Sequence, residues 1–167
     1  KMMGDCREMK IGVMSDTHLN NVQEPLTRIL EEYFAGVDMI LHAGDIVSGA
    51  VLDYLESFGV VAVRGNMDGM VPASRLPTQP VLRVEGVAIG LIHGWGPPDG
   101  LDRRIRSEFP DKLDCLVFGH SHQPQVREVD GELWFNPGSA LAPRGAPRTI
   151  GLLHIEEKIR GEIIPLG

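Results

Sequence analysis

The 167-residue sequence predicts an α/β protein with two β-sheets packed face to face and helices on the outside. Three observations lead there. In the first part of the chain, short apolar and β-branched runs alternate with segments of helical periodicity, the order that builds right-handed parallel β-α-β units. From Gln79 onward the texture changes to paired short runs around tight-turn dipeptides, the mark of antiparallel hairpins. Five apolar runs, moreover, stop abruptly on a side chain able to bind metal. In sheets with parallel strands, ligands collect at that carboxyl edge.

Hydrophobic residues make up 43% of the chain and the mean hydropathy is -0.04, values of an ordinary globular protein. A chain of this length buries roughly two-thirds of its unfolded surface in one domain. Residues 1–8 show no periodicity and are expected to be a tail or an expression remnant, leaving 9–167 as a single domain without repeat or linker. No apolar run approaches the ~20 residues of a membrane span and no signal-peptide core opens the sequence, so a cytoplasmic location without a membrane partner is expected. Cys6 lies in a polar leader and Cys115 in an apolar run, which indicates neither a disulfide framework nor a thiolate metal site. A net charge of -7 repels polyanions, so no stable nucleic-acid binding is expected. An anionic substrate would need cations at the site itself. The oligomeric expectation is a monomer or a small homo-oligomer.

In chain order, residues 11–14 form the first strand, ending at Ser15-Asp16-Thr17-His18. Residues 22–34 carry Val22, Leu26, Ile29, Leu30 and Tyr33 at helical spacing, with Gly36 as a stop. Residues 38–41 are the next strand, running onto His42-Ala43-Gly44-Asp45. A helix over 48–58 follows with Ser48 as its N-cap, then a short strand over 60–63 that gives onto Arg64-Gly65-Asn66. The proline-rich stretch 72–80 reads as a loop. Residues 81–84 and 87–92 flank Glu85-Gly86 as a hairpin, and the second arm ends at His93-Gly94. Trp95 to Gly100 is a loop, 101–109 a short helix, and 114–118 a strand that hands over to Gly119-His120-Ser121-His122. A second hairpin joins 126–129 to 132–135 around Asp130-Gly131, and the alternation returns over 149–155 and 159–164.

A lone His-x-His pair is as compatible with two half-exposed strand residues as with a metal site. In extended backbone both rings fall on one face, and a preceding glycine is expected to let the backbone turn sharply. Repetition is what carries the metal reading. Asp16, His18, Asp45, Asn66, His93, His120 and His122 are too many ligands for one tetrahedral ion and about right for two ions sharing a carboxylate. Mixed nitrogen and oxygen donors suit Mn, Fe, Zn, Ni or Co.

Asp16-Thr17-His18, Gly44-Asp45, Gly65-Asn66, His93-Gly94 and Gly119-His120-Ser121-His122, in this order, resemble the calcineurin-like metallophosphoesterase superfamily in its small single-domain phosphodiesterase branch. Asn136-Pro137-Gly138-Ser139 with Pro143-Arg144 resembles that branch too. The resemblance implies a four-layer α/β/β/α sandwich of two mixed sheets flanked by helices. It implies that Asp16, His18 and His122 hold one divalent transition metal, that Asn66, His93 and His120 hold another, and that Asp45 bridges them. The ions would be Mn, Ni, Fe or Zn, with Mn favoured. The implied reaction is hydrolysis of a small phosphodiester by a metal-bridging hydroxide, with Asp45, Asn66, Asp68 and His93 as candidate catalytic residues.

One departure stands out. Many members of this superfamily follow Gly-Asn with a histidine thought to protonate the leaving oxygen, where this chain has Met67-Asp68. A thioether donates no proton. Asp68 either orients a ligand or water or is a turn residue before Gly69. His42 reads as a buried group bonded to backbone, and His154 as structural. Trp95 either stacks on an aryl or base group or covers the core. Arg64 and Arg144 either hold phosphate or are solvated, and Asn136 and Ser139 are readable as a turn. The alternative function is a non-catalytic interaction scaffold on the same fold, like the retromer subunit. A zinc β-lactamase-like hydrolase also uses His-x-His but usually continues to Asp-His, where this chain has Gln123-Pro124.

Overall fold

The computed structural model describes residues 7–167, and in them the chain builds two five-stranded sheets. The first contains β1 (Met9–Met14), β2 (Met39–His42), β3 (Val61–Ala62), β9 (Thr149–Ile155) and β10 (Ile159–Pro165) in the order β10-β9-β1-β2-β3. The second contains β4 (Val81–Val84), β5 (Val87–Leu91), β6 (Cys115–Val117), β7 (Gln125–Val129) and β8 (Glu132–Asn136) in the order β4-β5-β6-β8-β7. Both are mixed. β1, β2 and β3 are mutually parallel, β9 pairs antiparallel with β1 and β10 antiparallel with β9, while parallel β5, β6 and β8 are bordered by antiparallel β4 and β7. Both hairpin turns take left-handed φ at each central residue, 50° and 78° at Glu85-Gly86 and 50° and 81° at Asp130-Gly131, as a two-residue primed turn demands.

Alternation along the inner strands divides the core. On β1, Ile11 and Val13 face the second sheet, and with Leu41, Ile89, Leu91, Cys115, Val117 and Phe135 they form the layer between the sheets. Met14 and Ile40 face the other way, where Leu26, Ile29, Leu30, Phe34, Val51, Leu52 and Leu55 cover them from the helices. On β6, Leu116 points outward with Phe118 to meet Leu101, Ile105 and Phe109. Three apolar interfaces separate four layers, an α/β/β/α sandwich. Strands covered on both faces read as continuous apolar runs for this reason.

Helix α1 (Glu24–Arg28) starts later than residue 22, with Pro25 in the first turn, where its missing N–H costs nothing. It continues into a π-helical turn over Ile29–Tyr33, closed by Phe34 N–H donating to the Ile29 carbonyl at 2.9 Å. Phe34 lies against Gly12 of β1, where a Cβ would come within 2.6 Å of the ring. Helix α2 (Gly49–Ser57) is capped as expected, Ser48 Oγ accepting from Val51 N–H. The loop expected over 72–80 is corrected in its first part: helix α3 (Met70–Arg75) occupies it, with Pro72 again in a first turn. Arg75 pairs with Asp53 and Glu56 of α2, a tertiary contact that local sequence does not announce. Helix α4 (Leu101–Ser107) covers the second sheet.

His154 is buried between two carboxylates, Nδ1 2.6 Å from Glu8 Oε1 and Nε2 3.1 Å from Glu162 Oε2. Of the residues expected to be a tail, Glu8 makes this contact and Arg7 pairs with Asp38. The others, Cys6 among them, lie outside the described residues. Cys115 is buried, and that burial pushes its thiol far above the usual range, which leaves it inert.

Candidate metal centre

The ends of β1, β2, β5 and β6 and the turn after β3 converge at one edge of the sandwich. Asp16, His18, Asp45, His120 and His122 all adopt left-handed backbone, with φ of 53°, 49°, 60°, 70° and 58°. The turn expected of Gly119 is therefore made by His120 and His122 themselves, whereas Gly44, at φ 101°, shares the left-handed turn with Asp45. Gly119 and Gly65 are outside that region and serve close approach instead: a Cβ would come within 2.1 Å of Ser15 Oγ at Gly119, and within 2.1 Å of Asp45 N and Oδ1 at Gly65. Val47, a β-branched residue at φ 81°, adds to the strain. Such strain persists only where surrounding bonds over-determine it. Here Asp16 N–H donates to the Gly44 carbonyl, His18 N–H to the Asp45 carbonyl, and Val47 N–H to Asp68 Oδ1.

Asp16 Oδ1 lies 3.2 Å from His122 Nε2 and 3.7 Å from both His18 Nε2 and His93 Nε2. Asp45 Oδ2 lies between two rings, 3.3 Å from His18 Nε2 and 3.2 Å from His93 Nε2. Asn66 Oδ1 is 3.0 Å from His93 Nε2 and 3.2 Å from His120 Nδ1. All seven predicted ligands thus meet. Asp68 does not join them: its Oδ1 accepts from Val47 N–H and its Oδ2 from Gly65 N–H, both at 2.7 Å. With each oxygen accepting from a backbone N–H, it holds the two loops that carry Asp45 and Asn66.

Second contacts orient the rings. His93 Nδ1–H donates to the Ala43 carbonyl at 2.7 Å, His122 Nδ1–H to Ala142 at 2.6 Å, and His120 Nε2–H to Gly96 at 2.8 Å. A neutral imidazole that donates from one nitrogen carries its lone pair on the other. The lone pairs of His93 and His122 then point from Nε2 toward the carboxylates, and that of His120 from Nδ1 toward Asn66. Ser15 Oγ donates to Asp16 Oδ2, leaving Oδ1 for the cluster. Asn136 and Ser139 are more than a turn: Asn136 Nδ2 donates to the Gly119 carbonyl, and Ser139 Oγ donates to the Asp16 carbonyl. Sequence reasoning missed the carbonyl partners because a backbone acceptor leaves no residue signature.

Charge tells whether this pocket suits cations. Asp16 Oδ1 and His18 Nε2 are buried without a hydrogen-bond partner. Burial alone would raise the Asp16 pKa, but His122 and His18 outweigh it and hold it far below the carboxylate range. Burial likewise works against ionised Asp45 and is outweighed by His18, His93 and the Met67 N–H. Asp16, then Asp45, raises His18 to about 9. For His93 the burial effect is downward, and Asp45 and Asp16 overcome it, leaving the pKa raised. Lone pairs facing ionised carboxylates repel unless something positive lies between them. Either protons or metal cations meet that need, and the mixed carboxylate, amide and imidazole set fits divalent transition metals.

His42 keeps neutral company beneath this cluster. It is fully buried, and burial lowers its pKa to about 3. Nδ1 accepts from Gly44 N–H at 3.1 Å, so Nε2–H donates to Thr17 Oγ1 at 3.1 Å, and that hydroxyl reaches the Asp45 carbonyl at 3.5 Å. Thr17→Val is expected to leave the His42 N–H unpaired and to cost about 1–3 kcal/mol, with Thr17→Ser retaining most of the stability. Urea unfolding of the metal-free protein measures it. A valine variant as stable as the parent would show that the relay contributes nothing.

A family model for the calcineurin-like phosphoesterase superfamily domain matches residues 9–158. A probable metallophosphoesterase of Methanocaldococcus jannaschii is 36% identical over 162 residues, covering 95% of this chain and 82% of that protein. A phosphodiesterase of the same organism is 29% identical over 171 residues, covering 93% of this chain and 99% of that protein. Among solved structures, Vacuolar Protein Sorting 29 from Cryptosporidium parvum superposes with a TM-score of 0.71 at 21% identity over 96% of this chain and 98% of that one. At that identity the likeness is one of fold.

Proposed function

Because the chain belongs to the calcineurin-like phosphoesterase superfamily, we propose that it is a phosphodiesterase with two divalent cations, manganese favoured, held by Asp16, His18 and His122 on one side and Asn66, His93 and His120 on the other. Asp45 is the proposed bridge. The observation that carries this reading is Asp45 Oδ2 lying within 3.3 Å of His18 Nε2 and 3.2 Å of His93 Nε2, one oxygen shared by both ligand sets. Bound there, the cations supply an acidified water and charge neutralisation on the phosphoryl oxygens. The chain's own part is positioning. Met67 N–H fixes Asp45 Oδ1 and so aims Oδ2 inward, and the carbonyls of Ala43, Ala142 and Gly96 set three rings.

The test is metal analysis of protein purified without chelator, paired with hydrolysis of aryl phosphodiesters after reconstitution with manganese. About two ions per chain with turnover supports the enzyme. An empty site that stays inactive supports the scaffold reading, which the fold shared with Vacuolar Protein Sorting 29 keeps in view.

Cation binding should release protons. Because Asp16 and Asp45 raise His18 to about 9, its proton stabilises the metal-free fold fully below its unfolded value of ~6.5, and that contribution fades as pH rises through about 9. A cation must expel that proton. Apparent manganese affinity is expected to climb by at least about tenfold per pH unit from 7 toward 9, the His93 proton adding to that of His18, and then to level off. Titration calorimetry in buffers of different ionisation enthalpy counts the protons, and an affinity flat across this range contradicts the expectation.

A further inference from the structure

A cleft of about 460 Å³ opens beside Asn66 and His93 and leads away from the imidazole cluster, between Arg64-Gly65, Thr78-Gln79 and Trp95. Its volume suits one nucleoside-sized group and excludes a duplex. Ile92 in its lining is 3% exposed, whereas Trp95 is 40% exposed. Trp95 rides on a braced loop. Arg104 donates to the carbonyls of Trp95, Pro97 and Asp99, and the Gly96 carbonyl accepts from His120 Nε2–H. A loop backbone held this firmly has little ordering entropy left to lose on binding.

The rest of the lining is polar. Thr78 Oγ1 bonds Gln79 Oε1, and Gln79 Nε2 reaches Glu108 Oε2 at 3.4 Å, a loose contact that a ligand can replace. Arg64 is exposed and, among the described residues, its guanidinium makes no ion pair, although its N–H donates to the Pro77 carbonyl. An indole face, an amide, a hydroxyl, a carboxylate and an unpaired cation around one small cleft match a heteroaromatic base with a polar edge, attached to an anion. A bare aryl group would use the indole and leave the polar wall to water.

We propose that this cleft takes the nucleoside of a nucleoside phosphodiester, its base stacked on Trp95 and its polar edge against Gln79 and Glu108, with Arg64 at the mouth. This assignment rests on the phosphodiesterase reading for the position of the phosphorus beside Asn66 and His93. Base stacking on an aromatic side chain is commonly felt as about tenfold or more in affinity on alanine substitution.

The test is calorimetry on the manganese-loaded protein with adenosine monophosphate, ribose 5-phosphate and phenyl phosphate, which share the phosphate and differ in what enters the cleft. Adenosine monophosphate is expected to bind at least about tenfold more tightly than ribose 5-phosphate. Trp95→Ala should erase that difference, and Trp95→Phe should keep most of it. Gln79→Ala should narrow the preference over phenyl phosphate. Equal binding of the base-bearing and base-free ligands, or a preference that survives Trp95→Ala, overturns the assignment. Phenyl phosphate binding as tightly as adenosine monophosphate overturns the nucleoside. Binding needs no turnover, so a protein that selects the base yet hydrolyses no diester leaves the cleft assignment standing and defeats the phosphodiesterase reading. One that hydrolyses diesters without base preference does the reverse.

Discussion

Asp45→Asn is expected to strip both cations at once, dropping manganese content from about two ions per chain toward none and turnover by at least about a hundredfold. The amide is nearly isosteric, and its oxygen can still accept the Met67 N–H that Asp45 Oδ1 accepts at 2.8 Å, so the loop has no reason to collapse. What changes is Oδ2. An amide nitrogen there brings a partial positive charge to a point 3.3 Å from His18 Nε2 and 3.2 Å from His93 Nε2, where the proposed centre needs one negative charge for two cations. His122→Ala should differ, because its Nε2 approaches Asp16 at 3.2 Å and has no such contact with Asp45. That variant is expected to lose mainly one ion. Metal analysis and thermal unfolding of the three proteins side by side decide it, and Asp45→Asn protein holding two ions with unchanged affinity would falsify the bridge.

A steep dependence of rate on leaving-group basicity is the second large effect expected. The position that carries a histidine in many members of the superfamily is Met67 here, 58% exposed on the rim beside Asp45. Its thioether has no proton to give. Asp68 is no substitute, since both its oxygens already accept backbone N–H groups. Without a positioned acid, departure of the leaving oxygen depends on its own basicity, and activated aryl diesters should far outpace alkyl diesters. A general acid typically contributes 10²–10⁴-fold, which bounds the gain expected on alkyl diesters from Met67→His. The measurement is log kcat/KM against leaving-group pKa for both proteins where chemistry limits the rate. A flat line for the parent would mean that another group already protonates. A steep line unchanged by the substitution would mean that residue 67 does not face the leaving oxygen.

The strands, the hairpins and the seven converging side chains were legible in the sequence because each rests on local chemistry. Apolar alternation, Glu85-Gly86 and Asp130-Gly131 turns, and runs such as 11–14 or 114–118 that give onto a ligand-type residue carry their meaning within a few positions. The helix at Met70–Arg75 was not legible, since it is held by Arg75 reaching back to Asp53 and Glu56 across a gap in sequence that no local pattern encodes. Nor was the division of labour at the ligand turns. The glycines at 65 and 119 give space to Asp45 and Ser15, while the strained left-handed turns fall on Asp16, His18, Asp45, His120 and His122. Asp68 was ambiguous in one dimension and plain in three, where Val47 and Gly65 claim its oxygens. By itself the sequence determined which residue types reach the carboxyl edge, because strand period and apolar content are local. Only the tertiary structure decided which nitrogen of each imidazole faces inward and which atom of Asp45 lies between the rings, because those choices belong to carbonyls and amides of Ala43, Gly96, Ala142 and Met67 brought in from distant parts of the chain.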